Sequence, residues 1–154
     1  MIDFRLNTEI CRSPNQVFNF VTAPENDFQW QYGTLASARI PQSIPDARTF
    51  FRSIGHLMGR RNLSTFEVIE FKRNKKYGFK SLSGPLDLQT TYTFEQADCG
   101  TKIGISVQAN VIDFVQVEEG ILEKGMKEQL QENLGMLKDL LEDRQILPPT
   151  FRQS

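Results

Sequence analysis

Hydrophobic and polar positions alternate along most of this chain with a period of two, and in its last third they change to a period near 3.6. Over 113–142, Val115, Leu122, Met126, Leu130, Leu134, Leu137 and Leu141 recur mostly three or four apart. At 100° per residue they form one stripe of a helix. Lys124, Lys127, Glu128, Gln131, Glu132, Lys138 and Glu142 fall on the other side, as a solvated face requires. Asp113 and Gln116 read as an N-cap with a capping-box partner, and Pro148-Pro149 ends any continuation. The pattern predicts one long amphipathic helix.

Before it, Ile2, Phe4, Leu6, Thr8 and Ile10 alternate with Asp3, Arg5, Asn7 and Glu9, which predicts a half-buried strand. Ser13-Pro14-Asn15-Gln16 announces a short helix, with Ser as cap, Pro in the first turn and Gln three residues after the cap. Pro24 starts a second short helix to about Gln31, closed by Gly33. Strands then follow at 34–40, 48–58, 62–71, 77–82, 86–95 and 103–111, separated by segments rich in Pro, Gly, Asn, Asp or Lys. On 48–58, Phe50, Ile54 and Met58 share one face and Phe51 and Leu57 the other, so the pattern alone leaves the buried face open. Consecutive strands with short turns favour an antiparallel sheet. An apolar sheet face much wider than one helix stripe must curl around that helix, leaving a volume between them for a ligand.

Length and composition narrow the class. At 154 residues, the chain fits one domain with a substantial core, here taken as 1–146 with a tail at 147–154. The net charge of −1 supplies no field for nucleic acid. No apolar run reaches membrane-spanning length, so no stable membrane insertion is expected. Cys11 and Cys99 form neither a disulfide framework nor a metal pattern, and both are expected as free thiols in a reducing, cytoplasmic setting. No metal and no cofactor are expected, because no Cys/His spacing, nucleophile elbow or phosphate-binding Gly loop is present.

The stretches EICRSPNQVFNFVTAPENDFQW, SGPLDLQTTYTFEQADCGTKIGISV and ENLGMLKDLLE, in this order, resemble the START-like superfamily and its polyketide cyclase/dehydrase-type (SRPBCC) branch. The resemblance implies an α+β helix-grip fold: a seven-stranded curved antiparallel sheet around a long C-terminal helix, with two short helices after strand one. It also implies that members bind lipids, polyketides, hormones or quinones and that only some are enzymes. It carries over no catalytic residue.

Several side chains are candidates for chemistry. His56, the sole histidine, shares a strand face with Phe50, Arg52 and Ile54; on a concave face His56 and Arg52 would polarise a carbonyl or move a proton. On a convex face they are solvated. Glu119 and Glu123 lie within or beside the helix stripe, either at the cavity entrance or at an exposed edge. The basic run 72–76 reads as phosphate-holding or as a plain turn. Trp30, with Phe28 and Tyr32 nearby, is pocket wall or core. The expected ligand-binding set is Trp30, Phe50, Ile54, His56, Tyr92, Phe94, Ile105, Val107, Ala109, Met126 and Leu130, with Tyr92 offering a hydroxyl to a polar ligand end. The leading expectation is binding of a small apolar or aromatic molecule by a monomer or homodimer. A cyclase or dehydratase using the same pocket, with His56, Arg52 or Glu123 for proton transfer, is the alternative. A surface-acting interaction module, as in heat-shock-chaperone ATPase activators of related fold, is the third.

Overall fold

The computed structural model describes residues 1–31, 33–40, 49–57, 60–111 and 118–143. Strand β1 (Ile2–Ile10) leads into helix α1 (Pro14–Val21). The predicted capping box closes α1: Ser13 Oγ accepts from the Gln16 amide at 3.3 Å, and Gln16 Oε1 accepts from the Ser13 amide at 3.4 Å. The second predicted helix is divided into a 3-10 turn (Pro24–Asn26) and the four-residue α2 (Asp27–Trp30). Six strands follow: β2 (Thr34–Arg39), β3 (Phe50–Leu57), β4 (Arg60–Lys72), β5 (Lys76–Ser83), β6 (Leu86–Gln96) and β7 (Thr101–Val111). They precede the long helix α3 (Glu119–Asp143). The predicted start of that helix, at Asp113 with Gln116, lies outside the described residues, as do Val115, Met58, Tyr32 and the tail.

All seven strands join in one antiparallel sheet of order β1-β7-β6-β5-β4-β3-β2, which brings the first strand beside the last. The alternation explains the core. Ile2, Phe4 and Ile10 on β1, Leu86, Tyr92 and Phe94 on β6, and Ile103, Ile105, Val107 and Ala109 on β7 are buried on one face. Leu122, Leu134, Leu137 and Leu141 of α3 cover them, together with Val17, Phe18, Phe20 and Val21 of α1. Met126 and Leu130, mid-stripe by angle, are only half-buried.

The C-terminal end of α3 is tied to the junction of β1 and α1. Glu142 Oε2 accepts from the Cys11 amide at 2.9 Å and from Lys138 Nζ at 2.7 Å. The Lys138 and Cys11 bonds hold the Glu142 carboxyl below its ordinary range. Arg12 Nε donates to the Leu141 carbonyl at 2.7 Å, and Thr101 Oγ1 donates to the Arg12 carbonyl at 2.7 Å. At the β6–β7 turn Gly100 sits so close to Arg12 that a Cβ would meet its backbone at 2.4 Å.

That close approach overturns the expectation of free thiols. Cys11 and Cys99 form a disulfide, with Cα atoms 4.8 Å apart and a sequence separation of 88. Separation along the chain hid the pair: nothing in the spacing shows that the end of β1 meets the β6–β7 turn. The bond also withdraws the premise from which a reducing compartment was inferred. A cross-link closing so long a loop should contribute about 2–5 kcal/mol through the unfolded state. Thiol titration of the unfolded, unreduced protein should find no free thiol, and Cys11→Ser should lower the urea midpoint by the same amount as reduction of the wild type.

Candidate functional site

A cavity of about 300 Å³ opens between the concave sheet and the middle of α3. Volumes of this size accommodate small ligands. Its sheet wall is aromatic. Phe51 of β3, Phe66 of β4 and Phe79 of β5 form a triangle with ring centroids 5.0, 5.2 and 5.3 Å apart. Tyr77 continues it 5.6 Å from Phe79 and stacks 6.1 Å from Tyr92 on β6. Leu86 and Leu88 of β6 and Val107 of β7 extend the apolar wall, and Gly125, Met126 and Leu130 of α3 form the roof. The glycine, at the edge of the helix stripe, lines the space without filling it.

Polar groups occupy both ends. Asn62, Ser64 and the exposed His56 border the outer end, near the β3–β4 connection. Gln129 and Asn133 line the cavity from α3, with Gln129 Nε2 donating to Asn133 Oδ1 at 3.0 Å. At the buried end Asp27, the first residue of α2, lines the space with 7 % of its surface exposed. Its carboxyl is hydrogen-bonded to Ser37 of β2, whose hydroxyl also bonds Ser53 Oγ at 3.1 Å. Burial pushes the Asp27 carboxyl from 3.8 up to about 8; the Ser37 bond opposes the shift, and Glu25 adds to it. Burial likewise raises the phenols of Tyr77 and Tyr92 above their ordinary range, and the nearby Asp27 charge adds to both shifts. Around neutral pH the inner end thus presents a protonated carboxyl and two phenols: hydrogen-bond donors in apolar surroundings.

The expected residues divide accordingly. His56, Tyr92, Val107, Met126 and Leu130 line the cavity. Trp30, Phe94, Ile105 and Ala109 are buried but do not line it; Trp30 packs edge-on to Tyr92 at 6.3 Å and Phe94 edge-on to Phe18 at 5.1 Å. Phe50, Arg52 and Ile54 are on the wrong face, because β3 turns Phe51, Ser53 and Gly55 inward. Arg52 is exposed, and His56 reaches the cavity only at the strand's exposed end. Glu123 is used elsewhere: its Oε1 accepts from the Asp3 amide at 3.0 Å, while Glu119 pairs with the Met1 amino group. The basic run makes the β4–β5 turn, with Asn74 at φ 63° and Lys76 3.4 Å from Glu70.

Sequence reasoning missed Asp27, Tyr77 and the Phe51–Phe66–Phe79 triangle. The inward face of β3 to β5 mixes Phe with Ser and Asn, whereas Leu63, Ile69 and Leu82 remain exposed. Alternation therefore gave no clean sign of which face is concave. Asp27 sits in a short helix with a polar neighbour on each side of Phe28, where a carboxylate is ordinarily solvated.

The model of a family described as polyketide cyclase / dehydrase and lipid transport matches residues 1–142. A START superfamily protein from Mycobacterium smegmatis superposes with a TM-score of 0.80 at 14% identity, covering 92% of this chain and 97% of that one. A Thermus thermophilus protein does so at 0.71 and 22% identity, over 92% and 95%. The di-domain aromatase/cyclase StfQ from the steffimycin biosynthetic pathway gives 0.71 at 12% identity, over 95% of this chain and 52% of that one. No curated protein sequence matches.

The raised Asp27 pKa has a consequence for stability. Between about pH 4 and pH 8 the folded state holds a proton on Asp27 that the unfolded state releases, so this group's contribution falls as pH rises through that window and levels off above it. Asp27→Asn should remove the slope. Urea unfolding should show the variant gaining on the wild type from pH 5 to pH 8; a constant difference would show that Asp27 is not held protonated.

Proposed function

The chain belongs to the polyketide cyclase / dehydrase and lipid transport family, and from that premise we propose that it binds a small apolar or aromatic molecule between the sheet and α3. The observation that carries this reading is the cavity of about 300 Å³ with its aromatic wall. A protein that needed only a solid core would have filled this volume, since empty space forfeits packing contacts. The lining combines broad apolar surface with a few converging polar groups, the composition of small-molecule sites.

A second reading, an enzyme of cyclase or dehydratase type, is favoured by Asp27. A carboxyl brought to about 8 in a cavity has the proton affinity for acid–base work near neutral pH. His56, Arg52 and Glu123 do not supply such a group: one is at the exposed end and two are outside the cavity. The interaction-module reading draws no support from the cavity. No helix among the described residues is long and apolar enough to cross a membrane. The cytoplasmic setting loses its argument with the disulfide, which fits an oxidising environment better.

Filling the space tests the binding reading. Leu88 and Val107 line the cavity, so Leu88→Trp or Val107→Trp should reduce uptake of an apolar fluorescent probe at least tenfold while a cooperative unfolding transition is retained. Ala109→Phe is a poorer choice, because Ala109 is sealed in the core. Undiminished uptake by folded Leu88→Trp and Val107→Trp proteins would place the probe elsewhere and remove the reading.

A further inference from the structure

We propose that the inner end of the cavity selects an uncharged ligand bearing a hydrogen-bond-accepting carbonyl, with Asp27 as the donor that receives it. This rests on the reading of the cavity as a ligand site and names the class of molecule that the site takes.

Among the described lining residues the only ionisable groups besides the two tyrosines are Asp27, at the buried end, and His56, at the exposed end. The groups facing Asp27 are Ser37 from β2, Glu25 from the 3-10 turn, Tyr77 from β5 and Tyr92 from β6. Arg39 acts on Tyr77, but its side chain donates to the Thr22 carbonyl at 3.4 Å and it is exposed, outside the cavity lining. A carboxylate ligand would therefore meet no cation at the inner end and would lie beside an acidic group. An ammonium ligand would have to ionise Asp27 and bury both charges against aromatic walls, where desolvation outweighs attraction unless further hydrogen bonds compensate. A ketone or similar carbonyl needs neither. It accepts from the protonated Asp27 carboxyl and keeps the cavity neutral, while its apolar body lies along Phe51, Phe66 and Phe79.

The test uses four naphthalenes that differ in one 2-substituent: acetyl, isopropyl, carboxylate and 1-aminoethyl. Dissociation constants are measured by fluorescence for wild-type protein from pH 6 to pH 10. The ketone should bind most tightly at pH 6. Its advantage over the isopropyl compound should shrink about tenfold with a midpoint near pH 8, as the donor loses its proton. Asp27→Asn, which keeps a donor that does not titrate, should bind the ketone with a flat pH profile. Asp27→Leu should lose the preference for ketone over hydrocarbon; the wild-type pH profile decides if that variant does not fold. Tighter binding of the carboxylate or the amine, or a pH-independent ketone preference in the wild type, would overturn the assignment while leaving the cavity as a ligand site. Binding of none of the four would remove the ligand-site reading and this proposal with it.

Discussion

One helix stripe cannot cover the concave face of a seven-stranded sheet, and the rest of the structure follows from that mismatch. Where β1, β6 and β7 face α3, Leu134, Leu137 and Leu141 share one buried cluster with Ile10, Ile103 and Ile105, and the interior closes. Where the sheet continues through β5, β4 and β3, the helix is out of reach, and aromatic side chains line the gap without filling it. Burial of the stripe supplies the hydrophobic driving force, whereas curvature of the sheet supplies the space. Substituting larger residues on the helix roof would trade one for the other.

A partly empty interior makes the ends of the helix matter more. Glu123 holds its N-terminal half to the β1 backbone, and Glu142, Lys138 and the Leu141 carbonyl hold its far end to the β1–α1 junction. The Cys11–Cys99 bond fastens that same junction to the β6–β7 turn. The glutamates that resembled candidate acids on the helix thus serve as attachments. The acidic group that reaches the cavity comes instead from α2, which is held against the sheet by the packing of Trp30 on Tyr92.

The fold was largely legible because its elements obey local rules. Strict alternation marks β1, β6 and β7, a capping box marks α1, and the leucine stripe marks α3. The cavity lining from β6, β7 and α3 was legible for the same reason: Tyr92, Val107, Met126 and Leu130 sit where period and face put them. The lining from β3 to β5 was not. On β3 both faces carry a phenylalanine, and only the pairing of Phe51 with Phe66 in the assembled sheet decides which is inside. Asp27 and the disulfide share a different obstacle. Each depends on segments far apart in sequence, and neither leaves a trace in local pattern.

The space between sheet and helix should receive a ligand with its polar end inward. A structure of the protein with 2-acetylnaphthalene bound decides this most directly. It should show the rings against Phe51, Phe66 and Phe79 and the carbonyl oxygen within about 3 Å of the Asp27 carboxyl. The probe seated outside the cavity, or inside it with the carbonyl turned toward Asn62 and Ser64, would contradict the account.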